Sequence, residues 1–436
     1  MRECQALVCR NPAPGSRYYS GVSGTRTTTS RGLSGVHRIV WATFVLGVAI
    51  ALPARTTAQA PAAPAPPVPA KASKSKPAVL APLPLFPLRL RWAADLEAPP
   101  SAGIANDDRR VFVPLTTGGL IAVDVDNGAV VWRSDVVTTV RPAVADDHVY
   151  VVGGDALHAL DVSSGRAAWR VALTAAVSAP VVARSGWVIA ALESGEVIAL
   201  RGADGTEVWR QQLAAPVVAP PAIDGDRLYL PGADGTVRAL SVATGTAIWT
   251  QNLGGSIVTI APLGGRVYLG STDNHFYCLD DKQGRVRWRW RAGSDPVGAP
   301  IADDERVYFT SLDTVVRALD RGHGAQRWRQ PLPWRPRTGP LRVGNTLVAS
   351  GIAVDLRGYA MDTGSPVGDY ALTENRLEVL EGTPVVIARA MLPGDFLVAA
   401  IADGRLVALE HVFGLPARPL TDLPGERMAL TPPPPP

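Results

Sequence analysis

Short apolar runs recur along this chain in a fixed internal order, clearest from Val149 to Arg170 in the stretch VYVVGGDALHALDVSSGRAAWR. Val149, Tyr150, Val151 and Val152 predict a buried or half-buried strand, Gly153-Gly154-Asp155 a hairpin turn, and Leu157–Asp161 the returning strand. Ser163-Ser164-Gly165 predicts a second turn, and Ala167–Arg170 a third strand carrying Trp169. A unit this short cannot bury its own apolar faces, so it must stack against copies of itself.

The copies are present. Trp92, Trp132, Trp169, Trp209, Trp249, Trp288 and Trp328 are spaced by 40, 37, 40, 40, 39 and 40 residues, and one further step of 40 lands on Gly368. Each beat carries the same text, as in VFVPLTTGGLIAVDVDNGAVVW and LYLPGADGTVRALSVATGTAIW. The last copy, FLVAAIADGRLVALE from Phe396 to Glu410, stops before its tryptophan strand, whereas the repeats begin with an unmatched one, Leu88 to Trp92. A fourth strand per repeat is marked by a proline near its start, at Pro142, Pro180, Pro220, Pro262, Pro300, Pro340 and Pro384. The expectation is an all-β, eight-bladed β-propeller of four-stranded blades over residues 88–410, with the N-terminal strand completing the last blade and so hiding two sheet edges.

Composition adds the tails. Of 436 residues, 47% are hydrophobic, with 42 glycines and 39 prolines, which suits many short strands joined by turns. The net charge of +4 is uneven: residues 1–76 hold ten basic groups against Glu3, a local balance of +9 that leaves the remainder at −5. A slightly acidic ring lacks the basic footprint of a phosphate-backbone binder, which sets nucleic acid aside. Ile39 to Ala54 is sixteen residues without a charge, and Ala58-Gln59-Ala60 follows as a small-residue cleavage site. Residues 1–60 are therefore expected to be a leader, either a signal peptide or an uncleaved membrane anchor; 61–87 a disordered Pro/Ala-rich linker; and 411–436 an irregular Pro-rich tail. A periplasmic or exported location follows, held to the inner membrane where the leader stays uncleaved. Cys4 and Cys9 precede the apolar run and Cys278 stands alone as a small apolar strand residue, so no disulfide framework is expected.

The recurring residues read as structure before chemistry. The seven tryptophans are expected to fill wedges between blades, each indole N–H finding a carbonyl. Asp124, Asp161, Asp280, Asp320, Asp362 and Glu410 form an apparent acidic column, read as turn caps rather than a ring of acids. His148, His158, His275 and His323 share no metal-ligand spacing. What the repeats do not share is the better place to look for a partner. Arg141, Trp334, Arg335 and Arg337 fall between an outer strand and the next inner strand, and are candidates for docking.

The text of ADGTVRALSVATGTAIW and TDNHFYCLDDKQGRVRW resembles the pyrroloquinoline-quinone repeat, the blade unit of quinoprotein alcohol dehydrogenase-like propellers, from Leu88 to Glu410. That resemblance implies fold more than function. One branch of the family, the quinoprotein dehydrogenases, binds the quinone with calcium under long insertions, and this chain has little material for them and no Cys-x-x-Cys-His. The other branch is that of BamB, a compact ring in outer-membrane protein assembly; this chain lacks its lipid-anchor cysteine. The favoured expectation is a non-catalytic, monomeric, exported ring that binds envelope proteins and carries no cofactor. The alternative is a dehydrogenase using pyrroloquinoline quinone with calcium, or a ring that binds carbohydrate or peptide.

Overall fold

The computed structural model describes residues 86–352, 355–372, 380, 382–387 and 395–412, and every regular element among them is a β-strand. The expected leader, most of the expected linker and nearly all of the tail lie outside the described residues. Eight four-stranded antiparallel sheets follow one another as blades: 105–134, 143–172, 182–212, 222–252, 257–291, 296–331, 341–371, and an eighth made of 385–411 with Leu88–Asp95. In blade 8, Leu88–Asp95 pairs along Arg405–His411 as the outer strand.

Burial follows strand position. The second strand of a blade is flanked by sheets on both faces and is mostly buried; in Trp187–Ala191 only the first residue is partly exposed. The outer strand Glu207–Gln212 shows its even side to water and turns Trp209 inward. The apolar core divides into eight clusters, one for each interface between neighbouring blades. A ring of equal sheets has no single centre, so stability resides in the seams.

The prolines differ from expectation in two blades. In blades 2, 3, 4, 7 and 8 the inner strand begins one or two residues after the marking proline, as with Ala143–Ala145 after Pro142. In blade 5, however, the strand Ile257–Pro262 ends on its proline, and in blade 6 Pro296–Ala302 encloses Pro300. Register shifts between Ile257 and Thr259 and between Val297 and Ile301 accompany this, and a residue with no N–H is tolerated where the ladder is interrupted.

Candidate functional site

The tryptophans occupy the seams. Each donates its indole N–H to a carbonyl of the next blade at 2.7 to 3.0 Å: Trp92 to Val125, Trp132 to Val162, Trp169 to Gly202, Trp209 to Val242, Trp249 to Asp281, Trp288 to Arg321 and Trp328 to Met361. Each ring also lies on the glycine of that blade's last turn. For Trp132 this is Gly165, at φ 71°, where an added Cβ would sit 2.5 Å from the indole. The Gly turn and the tryptophan are thus one device in two adjacent repeats.

Gly368 breaks the series, and the structure fills the gap from elsewhere. Phe86, expected in the linker, is only 1% exposed and packs against Gly358 and Gly368 of blade 7, with its ring 2.5 Å from where a Gly368 Cβ would stand. The ordered ring therefore reaches back past residue 88, and its eighth seam uses a phenylalanine from the blade 8 side.

The acidic column separates into two kinds of site. Asp124, Asp161, Asp280 and Asp320 accept backbone N–H groups of the following turn, as in Asp161 with Ser163 and Ser164 at 3.1 and 2.8 Å. Hydrogen bonds from the hydroxyls of the same two serines hold the Asp161 carboxyl down to about 2. Asp362 is a correction: Ala360 stands at the equivalent place, its carbonyl accepting from Gly364 as that of Asp161 does from Gly165, and Asp362 caps only Thr363. Glu410 is a second correction. It is no turn cap, because the turn is replaced by the N-terminal strand, and its carboxylate takes Arg89 at 2.7 Å and Arg91 at 2.8 Å. Burial pushes the Glu410 carboxyl up, but the two guanidinium groups outweigh it and its pKa lies below the usual glutamate value.

A folded-state pKa that is depressed means stability present above the ordinary value of about 4.5 and lost as pH falls through the lowered one. Acid titration of thermal melts should show that loss in the intact chain, and Glu410→Gln should remove part of it. An unchanged acid profile in that variant would refute the clamp.

Among the described residues, no group of three or more His, Cys, Asp or Glu is placed to hold a metal ion. Cys278 is fully buried, and burial pushes its thiol up to about 11, which keeps it protonated and unreactive.

The open space is on the ring axis. A cavity of about 530 Å³ is walled by inner strands and the residues before them, including Asn106, Arg141, Pro220, Thr259, Gly298 and Pro340, and a smaller one of about 290 Å³ shares Asn106, Arg141 and Pro220 with it. Arg141, expected on a mouth loop, is the one charged residue of both walls among the described residues. Trp334, expected to face a partner, is instead buried between blades 6 and 7, where it packs on Gly351, a position with no side chain to exclude the indole. Arg335 and Arg337 remain exposed on that loop, with no side-chain partner among the described residues. Arg141 and the two loop arginines are not joined by any contact among the described residues. Asn106 and Thr259 were not legible as site residues, since each sits in a strand that departs from the repeat; the proline column was the available signal for the wall.

Comparison with known proteins adds the following. The family model described as outer membrane protein assembly factor BamB matches residues 89–176, 155–262 and 233–414. A curated relative, outer membrane protein assembly factor BamB of Yersinia pestis, is 24% identical over 160 residues, which is 34% of this chain and 39% of the relative. The crystal structure of BamB from Moraxella catarrhalis aligns with a TM-score of 0.59 and 20% identity, covering 74% of this chain and 97% of that one. Quinohemoprotein alcohol dehydrogenase from Comamonas testosteroni aligns at 0.60 with 13% identity over 79% and 78% of the two chains. At such identities, the two structures show the fold alone.

Proposed function

Because this chain belongs to the family of the outer membrane protein assembly factor BamB, we propose that it is an exported, non-catalytic propeller that docks other envelope proteins during outer-membrane protein assembly. The observation that carries this reading is the extent of the family match, which runs from residue 89 to residue 414 and so takes in all eight blades. The apolar segment Ile39–Ala54 supports export, with the ring on the periplasmic side and held to the inner membrane where that segment is uncleaved.

Docking falls to the loop before blade 7. Arg335 and Arg337 are exposed there, while Trp334 and Pro336 are buried beneath them, so the loop presents two guanidinium groups on a packed base. Arginine is common among the few residues that dominate interfaces, and a fixed base lowers the ordering cost of using it.

Cross-linking in envelope extract should capture assembly proteins with the wild-type chain. Replacing Arg335 and Arg337 together with alanine should cut that capture several-fold while leaving the melting temperature within about a degree, since both are surface changes. Equal capture by the variant would remove the loop from the interface. Uptake of pyrroloquinoline quinone with calcium as a stoichiometric chromophore would instead carry the dehydrogenase alternative, which rests on likeness of fold.

A further inference from the structure

We infer that the axial channel is a binding site for a carboxylate, anchored by the guanidinium of Arg141. Arg141 is oriented before any ligand arrives: its Nε donates to the carbonyl of Ile104 at 2.9 Å, and its side chain runs past Gly103, where an added Cβ would stand 3.6 Å from Cδ. Its two terminal nitrogens have no partner among the described residues. That leaves the end-on edge of the guanidinium, the two-pronged donor that matches the two oxygens of a carboxylate.

The surroundings leave that charge uncompensated. No acidic side chain is among the described residues that wall the two cavities. Partial desolvation against the wall lowers the Arg141 pKa, while the side chain stays open to the channel, so its guanidinium is reachable by an entering anion. The cavity of about 530 Å³ is of small-ligand size. Its proline walls offer apolar surface and few N–H donors, which suits a carboxylate on an apolar body better than a sugar. Asn106 adds direction: its Nδ2 donates to the backbone carbonyl of Asp107, leaving Oδ1 to accept an N–H from the ligand. A carboxylate with an N–H close behind it is the C-terminal end of a peptide. A small organic acid shares the carboxylate but lacks the N–H.

Isothermal titration of the intact purified chain distinguishes these sources, using sodium benzoate and N-acetyl-alanyl-valyl-alanine as free acid and as amide. The free acid peptide is expected to bind, the amide to bind roughly tenfold more weakly or worse, and Arg141→Met to weaken the acid by a similar factor while leaving the amide unchanged. Arg141→Lys should fall between, as a point charge without the fork. Benzoate binding with the same dependence on Arg141 would identify small acids as the source and keep the site. Thermal melts accompany each variant, and where Arg141→Met unfolds, Arg141→Gln is read in its place because it retains a donor. Absence of binding by both acids, or binding that is equal in a folded Arg141 variant, overturns the assignment. The inference does not depend on the docking loop, so either can fail alone.

Discussion

Replacing Trp209 with alanine is expected to lower the stability of the ring by about 3 to 5 kcal/mol. The ring is 9% exposed and closes the seam between blades 3 and 4, where it packs on Gly245 and donates to the carbonyl of Val242 at 2.7 Å. Neighbouring blades cannot collapse into the space, because each is a hydrogen-bonded sheet held by a further seam on its other side. Urea melts of the variant should shift the midpoint with little change in slope. Trp209→Phe should lose much less, about 1 to 3 kcal/mol, chiefly from the Val242 carbonyl left without its donor. Melts of Trp209→Ala that overlay the wild type would dismiss the wedge assignment.

A comparable loss, again about 3 to 5 kcal/mol, is expected from Phe86→Ala. Phe86 plugs the one seam without a tryptophan, against Gly358 and Gly368, in the same cluster as Leu88, Leu397 and Leu409. The companion variant is Gly368→Trp, which restores the repeat's own residue but finds the place taken. It should destabilise the wild-type chain and be tolerated better alongside Phe86→Ala. Additive behaviour of the two changes in melts would mean that they do not share a site, since residues in contact couple.

Much of this architecture was legible from rhythm. A tryptophan every 40 residues and a Gly turn in phase with it demanded stacked sheets, and the wedge role follows because one large ring per repeat must meet its neighbour at the same place each time. Phe86 was not legible, for it sits outside the repeat phase in a proline-rich run that reads as linker. Nor was the fate of Trp334: an aromatic between prolines and arginines looks like surface bait, and only the packing on Gly351 turns it inward. Asp362 and Glu410 share the sequence position of the acid column, two residues after an alanine, but the backbone register places Ala360 at the turn in one blade and a strand from the other end of the chain in another.

The pairing of Leu88–Asp95 with Arg405–His411 has a consequence for a chain delivered N-terminus first. Seven blades are made of contiguous sequence and can form in order as the polypeptide emerges, each needing only its nearest predecessor. The eighth waits. Arg89 and Glu410 are 321 residues apart, and holding such ends together costs of order 5 kcal/mol in chain entropy, so the first strand to appear is the last to be paired. During delivery it is an unpaired strand and blade 1 beside it shows a bare face, so a holding chaperone that recognises unpaired strands would find its first target there and would be released when Arg405–His411 arrives.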